Sequence, residues 1–207
     1  MNSEYITQGI ILYAKNFKDE DKFYRIFTFE NGLISAVAKS VSSPKSKLSG
    51  FLMPGNLCLF MLSQGKTINK IAQVSVINSF DVNKNFRAFL SFNKMSEILL
   101  NFLPENMQEK YIYKNTVEFL KDVNSNLYNE SDLEICYLLC IMKKFGFYEK
   151  NKISLNKKEM RIIDIFTENT YLKNRQLVLK LNYDKLIILN YIKTYFEKVL
   201  EKKLNSF

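Results

Sequence analysis

The sequence predicts an α+β fold, a small five-stranded barrel followed by a helical domain, and two changes along the chain carry that prediction. Turn-forming residues are concentrated before residue 80. Five of the six glycines (Gly9, Gly32, Gly50, Gly55, Gly65) and two of the three prolines (Pro44, Pro54) lie there, leaving Gly146 and Pro104 for the remainder. The spacing of apolar residues changes at the same place, from short continuous runs to a period near 3.6. Dense turn residues imply short strands, and their absence implies long helices.

The strands are read in order. Ile6 to Tyr13 opens the chain. Phe23-Tyr24-Arg25-Ile26-Phe27-Thr28-Phe29 has the aromatic and β-branched content that strands prefer. Asn31-Gly32 separates it from the next run, Leu33 to Lys39, and predicts a tight hairpin with both turn residues at positive φ. Leu57 to Leu62, closed by Gln64-Gly65-Lys66 and followed by Ile68 to Ile77, predicts a second hairpin. Ser40 to Gly55 is then a long loop between the third and fourth strands. Five short strands with tight turns suit a closed barrel, and the OB-fold is the commonest of this size.

The helices follow. Phe86, Phe89, Leu90, Leu99, Phe102 and Leu103 mark one helix, stopped by Pro104. Tyr113, Val117 and Leu120 mark a second. Ser131-Asp132-Leu133-Glu134 has the form of a capping box opening a third, which carries Leu133, Cys136, Tyr137 and Cys140 and ends at Gly146 beside Lys143 and Lys144. Asp184 caps a last helix with the stripe Ile188, Tyr191, Ile192, Tyr195 and Val199. The expected domains are 1–80, the barrel, and 81–207, the helices.

Composition narrows the function. Thirty Lys and Arg against 21 Asp and Glu give a net charge of +9, which favours a polyanionic partner. From Asn31 to Phe80 there are five lysines (Lys39, Lys45, Lys47, Lys66, Lys70) and no acid. A charge run is usually a solvated face, but five uncompensated cations on one small barrel point to nucleic acid. Histidine is absent, so His-dependent nucleophilic catalysis is excluded and no enzyme is indicated. No phosphate-binding glycine loop occurs. Cys58, Cys136 and Cys140 are too few for a disulfide framework or a tetrahedral zinc site, so no metal or other cofactor is expected. The pair four apart on a helix reads as buried small hydrophobes. Asp19-Glu20-Asp21 reads as a solvated turn rather than a metal-dependent nuclease centre. Tyr13, Phe17 and Tyr24, close to lysines, are the candidates for stacking on bases. No apolar run approaches a membrane span and the start lacks an export signal, so a cytoplasmic, nucleoid-associated protein is expected.

Gly9-Ile10-Ile11-Leu12, Glu20-Asp21, Phe27-Thr28, Gly32, Ala38-Lys39, Pro44-Lys45-Ser46-Lys47-Leu48 and Pro54 follow one another as in the opening of the RecO DNA repair family. The close, Leu200-Glu201-Lys202-Lys203-Leu204-Asn205-Ser206, also resembles it. Two departures stand out. The four-cysteine zinc module of many members cannot be built here, and Ser40-Val41-Ser42-Ser43 replaces their usual glycine and arginines. The resemblance implies an N-terminal OB-fold before a helical domain. It also implies binding of single- and double-stranded DNA, annealing of complementary strands, and a mediator role. In that role the protein engages the acidic C-terminal tail of the single-strand-binding protein and, with RecR, helps load RecA.

The DNA-binding residues expected are Lys39, Lys45, Lys47, Lys66, Lys70 and Arg25. Lys39 follows the outward positions Ser35 and Val37, and Lys45 and Lys47 lie in the loop at the barrel rim. For the acidic tail, the resemblance directs attention to Tyr137, Lys143 and Lys144 near the end of one helix. The alternative reading is a basic OB-fold adaptor that binds RNA or a protein partner.

Overall fold

The computed structural model describes residues 3–43, 46, 48–83, 86–125, 127–146 and 155–206. Five strands come first: β1 (Glu4–Asn16), β2 (Lys22–Thr28), β3 (Gly32–Ala38), β4 (Asn56–Ser63) and β5 (Asn69–Ser79). They close into a barrel in the order β1-β2-β3-β5-β4, with β4 returning to β1. Every pairing is antiparallel except β3 with β5, which run parallel through Ala36↔Asn69 and Val37↔Lys70. This is the OB-fold arrangement.

Alternation along the strands fills the interior with Ile11, Tyr24, Ile26, Ile34, Ala36, Ala38, Cys58, Phe60, Leu62 and Ile71. The long loop after β3 sends Val41 and Leu52 into the same core. It is tied back by the Gly55 amide, which donates to the Ile11 carbonyl at 2.9 Å, and by Asn56 Nδ2, which donates to the Phe51 carbonyl at 3.0 Å. A bulge in β1 has a larger consequence. Ile11 pairs with Ile26, but the next pair is Tyr13 with Arg25, so Leu12 is the extra residue. A bulge re-aims the side chains beyond it. Ala14 now packs on the core, and Tyr13 and Lys15 join the outer rows of β2.

The β2–β3 hairpin differs from the expected two-residue turn. Thr28 pairs with Gly32, leaving Phe29, Glu30 and Asn31 as a three-residue connection; Gly32, the first residue of β3, has φ +67°, and Asn31 is not in the positive-φ region. Thr28 Oγ1 organises it, donating to the Gly32 carbonyl at 2.9 Å and accepting from the Asn31 amide at 3.1 Å. The left-handed conformation falls on the glycine that closes the turn, the one residue type that adopts it without strain.

The helices are α1 (Phe86–Phe102), α2 (Lys110–Ser125), α3 (Glu130–Lys144), α4 (Lys157–Glu168), α5 (Tyr171–Leu177) with a short 3-10 turn after it, and α6 (Lys185–Leu200). Two compact units result. One takes in 1–85 and 99–113, the other 86–98 and 114–207. Within the first, the stretch after α1 docks on the hairpin: the Asn106 amide donates to the Leu33 carbonyl at 2.9 Å, and Tyr113 packs edge-on against Phe27 and Phe29.

The second unit is organised around α3, buried without a break from Asp132 to Met142 and packed on α4, α5 and α6. Its cap is not the expected box at Ser131. Asn129 caps it, accepting from the Ser131 amide at 3.1 Å, while Glu134 is buried and accepts from Ser91 and Lys94. A carboxylate held by a lysine inside the unit is not available to fold back on a helix terminus. Asp184 caps α6 as the sequence predicts, and Gly146, at φ +73°, follows the end of α3. Cys136 and Cys140 are both buried on α3. Among the described residues no helix is long and apolar enough to cross a membrane.

Candidate nucleic-acid interface

Strand register assembles the site. Residues paired across strands share a face, so the pairings Lys15↔Phe23, Phe23↔Val37 and Val37↔Lys70 draw a continuous row across β1, β2, β3 and β5 on the outside of the barrel. Lys15 Nζ lies 5.2 Å from the centre of the Phe23 ring. Beyond the end of β1, Phe17 packs beside Phe23 with ring centres 6.4 Å apart, and Lys18 Nζ lies 5.7 Å above the Phe17 ring. Tyr13, on the neighbouring row, is 44 % exposed and Phe17 is 45 % exposed.

The turn that carries Phe17 and Lys18 is closed by hydrogen bonds. The Phe17 amide donates to the Asp21 carbonyl at 2.9 Å, and Asp19 takes φ +43°. Asp21 Oδ1 accepts from the Ser40 amide at 2.9 Å, and the Glu20 carbonyl accepts from the Ser42 amide at 2.9 Å. These two bonds hold Lys39 and the start of the long loop against the turn. The acidic triplet therefore builds the rim, and among the described residues no group of three or more metal-ligating side chains converges.

The expected DNA-binding residues fall in three groups. Lys39 and Lys70 are exposed at this face, and Lys66 is exposed on the β4–β5 loop, where a Cβ on Gly65 would lie 1.9 Å from the Ile68 carbonyl oxygen. Lys45 and Lys47 lie outside the described residues. Arg25 is engaged: it pairs with Glu105 and donates to Ser35 Oγ at 3.1 Å, with its side chain 19 % exposed. Lys15 and Lys18, not singled out from the sequence, complete the group. Among the described residues Lys15, Lys18, Lys39, Lys66 and Lys70 form no ion pair.

One stacking candidate changes place. Tyr24 is wholly buried in the barrel core, where burial pushes its phenol up to about 12. Its neighbour Phe23 takes the outer position. Strict alternation along β2, with Tyr24 and Ile26 both facing the core, is the signal that separates them.

The residues considered for a peptide partner do not converge. Tyr137 is fully buried, stacked on Phe119 with centroids 4.6 Å apart and hydrogen-bonded to Thr116 Oγ1 at 2.7 Å, and burial holds its phenol well above the usual range. Lys143 and Lys144 are exposed, and Lys143 Nζ donates to the Glu168 carbonyl at 3.3 Å. The second unit holds a different open cleft of about 560 Å³ on α4. Lys157, Lys158 and Arg161 rim it, Ile162, Ile165 and Leu181 form its apolar lining, and Asn182 completes it.

Comparison with known proteins agrees with this geometry. Residues 1–80 match the family model described as recombination protein O N terminal. The DNA repair protein RecO of Clostridium perfringens is 26 % identical over 159 residues, covering 72 % of this chain and 64 % of that protein. That of Oceanobacillus iheyensis is 28 % identical over 143 residues, covering 67 % and 54 %. That of Acaryochloris marina is 33 % identical over 101 residues, covering 48 % and 34 %. The chain thus spans less than two thirds of the length of these curated relatives. Residues 1–80, which form the 1-2-3-5-4 barrel, are thus similar to the N-terminal domain of the RecO family, and the chain resembles RecO proteins over up to 72 % of its length.

Proposed function

We propose that this chain is a non-enzymatic DNA-binding mediator of recombinational repair. The observation that carries the reading is the set of exposed, unpaired lysines, Lys15, Lys18, Lys39 and Lys70, around one barrel face, with Lys66 on the adjoining loop. Ammonium groups neutralise phosphates as point charges and read no base edges, so the surface supplies affinity without sequence preference. Lys45 and Lys47 belong to the same proposed set by their place in the sequence. The relatives are named DNA repair proteins, which favours DNA over RNA as the partner.

A mediator must also deal with strands already coated by protein. The cleft on α4 suits the acidic tail of the single-strand-binding protein, because its cationic rim receives carboxylates and its aliphatic lining receives a terminal hydrophobic side chain. This moves the peptide site from Lys143 and Lys144 to Lys157, Lys158 and Arg161. RecR and RecA enter as the further partners of such a cycle. The test is annealing of complementary DNA strands, bare and coated with the single-strand-binding protein. Acceleration of both, with Lys157→Ala/Lys158→Ala/Arg161→Ala impaired only on coated strands, is the expected result. A protein that retains RNA but anneals neither substrate would replace this reading with that of an RNA adaptor.

A further inference from the structure

Phenylalanine has no polar atom to justify exposure, yet Phe17 sits half exposed on the rim of the barrel beside the partly exposed Phe23. Each ring has an ammonium above it, Lys18 over Phe17 and Lys15 over Phe23. Resting on the DNA-binding reading above, we infer that Phe17 and Phe23 are stacking platforms for unpaired bases and make this barrel face selective for single strands over duplex.

The physical case is an exchange. In the free protein each lysine covers a ring face, and an exposed cation over a ring is a weak contact. A phosphate backbone entering the row offers the two ammonium groups a stronger partner and draws them off the rings. The uncovered faces then meet the bases of that backbone, and a base on an aromatic face is worth more than the contact it replaces. The arrangement thus couples charge to stacking: one group of residues, Lys15-Phe23 and Phe17-Lys18, handles one phosphate and one base each. A duplex gives the lysines their phosphates but offers the rings no free base face. Tyr13, exposed on the next row, extends the platform along β1.

The experiment compares three probes with the full-length protein by fluorescence anisotropy: a thymidine homopolymer, a strand of equal length built from abasic sites, and a duplex. Wild type should bind the thymidine strand about tenfold more tightly than the abasic strand, with the duplex close to the abasic value. Phe17→Ala should bring the thymidine strand down to the abasic value while leaving abasic binding and the slope against salt unchanged. Phe17→Tyr should restore the difference, which a loss of folding would not allow. Equal affinity of wild type for thymidine and abasic strands overturns the stacking assignment and leaves the phosphate-binding reading intact. Failure of wild type to bind any of the three probes removes both.

Discussion

An alanine at position 32 would place its Cβ 1.8 Å from the carbonyl oxygen of Met107, in a residue already held at φ +67°. Both constraints act together, since a left-handed alanine is strained and the segment after α1 has no room to accept it. Gly32→Ala is therefore expected to destabilise the first unit by at least about 1–3 kcal/mol, seen as a lower urea midpoint with little change in slope. An unchanged midpoint would mean that residues 104–108 do not dock on the hairpin. This dual role was only half legible. Asn-Gly announced a turn, but nothing local announces that another backbone passes over the glycine. Phe23 and Tyr24 make the same point in reverse. Their chemistry is similar and their exposure opposite, because a period of two along β2 sends Tyr24 to the core with Ile26 and leaves Phe23 on the outer face.

Among the elements, helix termini and buried carboxylates decide what the sequence conceals. Ser131 and Glu134 stand at the spacing of a capping box, yet Asn129 two residues earlier wins the cap because Glu134 is taken by Ser91 and Lys94. Tertiary partners outbid local pattern wherever a charge must be buried. Asp122 shows the strength of this. On α2 it accepts from Tyr171 Oη at 2.8 Å and from Arg175 Nη1 at 2.6 Å, both on α5. Replacing Arg175 by Ala leaves that carboxylate buried with one partner, and a loss of about 3 kcal/mol is expected in chemical denaturation. Arg175→Ala/Asp122→Asn should recover part of it. No recovery would show that the charge is not the cause.

Glu97 on α1 makes a different clasp. Burial opposes its charge, but the Asn205 and Ser206 amides at 2.9 Å, the Ser206 hydroxyl and nearby Lys202 outweigh burial and hold its carboxyl below the usual 4.5. A folded-state value below the unfolded one contributes stability that is present above pH 4.5 and is lost as pH falls through the folded value. Amide exchange at Asn205 and Ser206 should accordingly lose protection below that pH. In Glu97→Gln the protection should be weak throughout and nearly flat with pH. A pH dependence identical in the two proteins would assign the effect to another group.

At the scale of the molecule, charge distribution competes with strand register as the guide to DNA. The net charge of +9 was legible at once, as was the barrel class, from glycine and proline placement and the change of apolar period. Which cations act together was not legible, because β1, β2, β3 and β5 are brought side by side by closure of the barrel, and Lys15 and Lys70 are 55 positions apart in the chain. The C-terminal third is itself rich in lysine, so two surfaces could carry the electrostatic part of binding. Salt dependence separates them, since each phosphate neutralised adds roughly 0.7 to the slope of log affinity against log salt for a single strand. Lys15→Ala/Lys39→Ala/Lys70→Ala should lower the slope by about 2 and weaken all sequences alike. Lys143→Ala/Lys144→Ala, on a helix of the second unit, should leave it unchanged. Arg25→Ala should also change it little, since Glu105 already neutralises that guanidinium. If instead the triple variant keeps the wild-type slope and Lys157→Ala/Lys158→Ala/Arg161→Ala lowers it, the phosphate backbone runs over α4, and the barrel row is a solvated face.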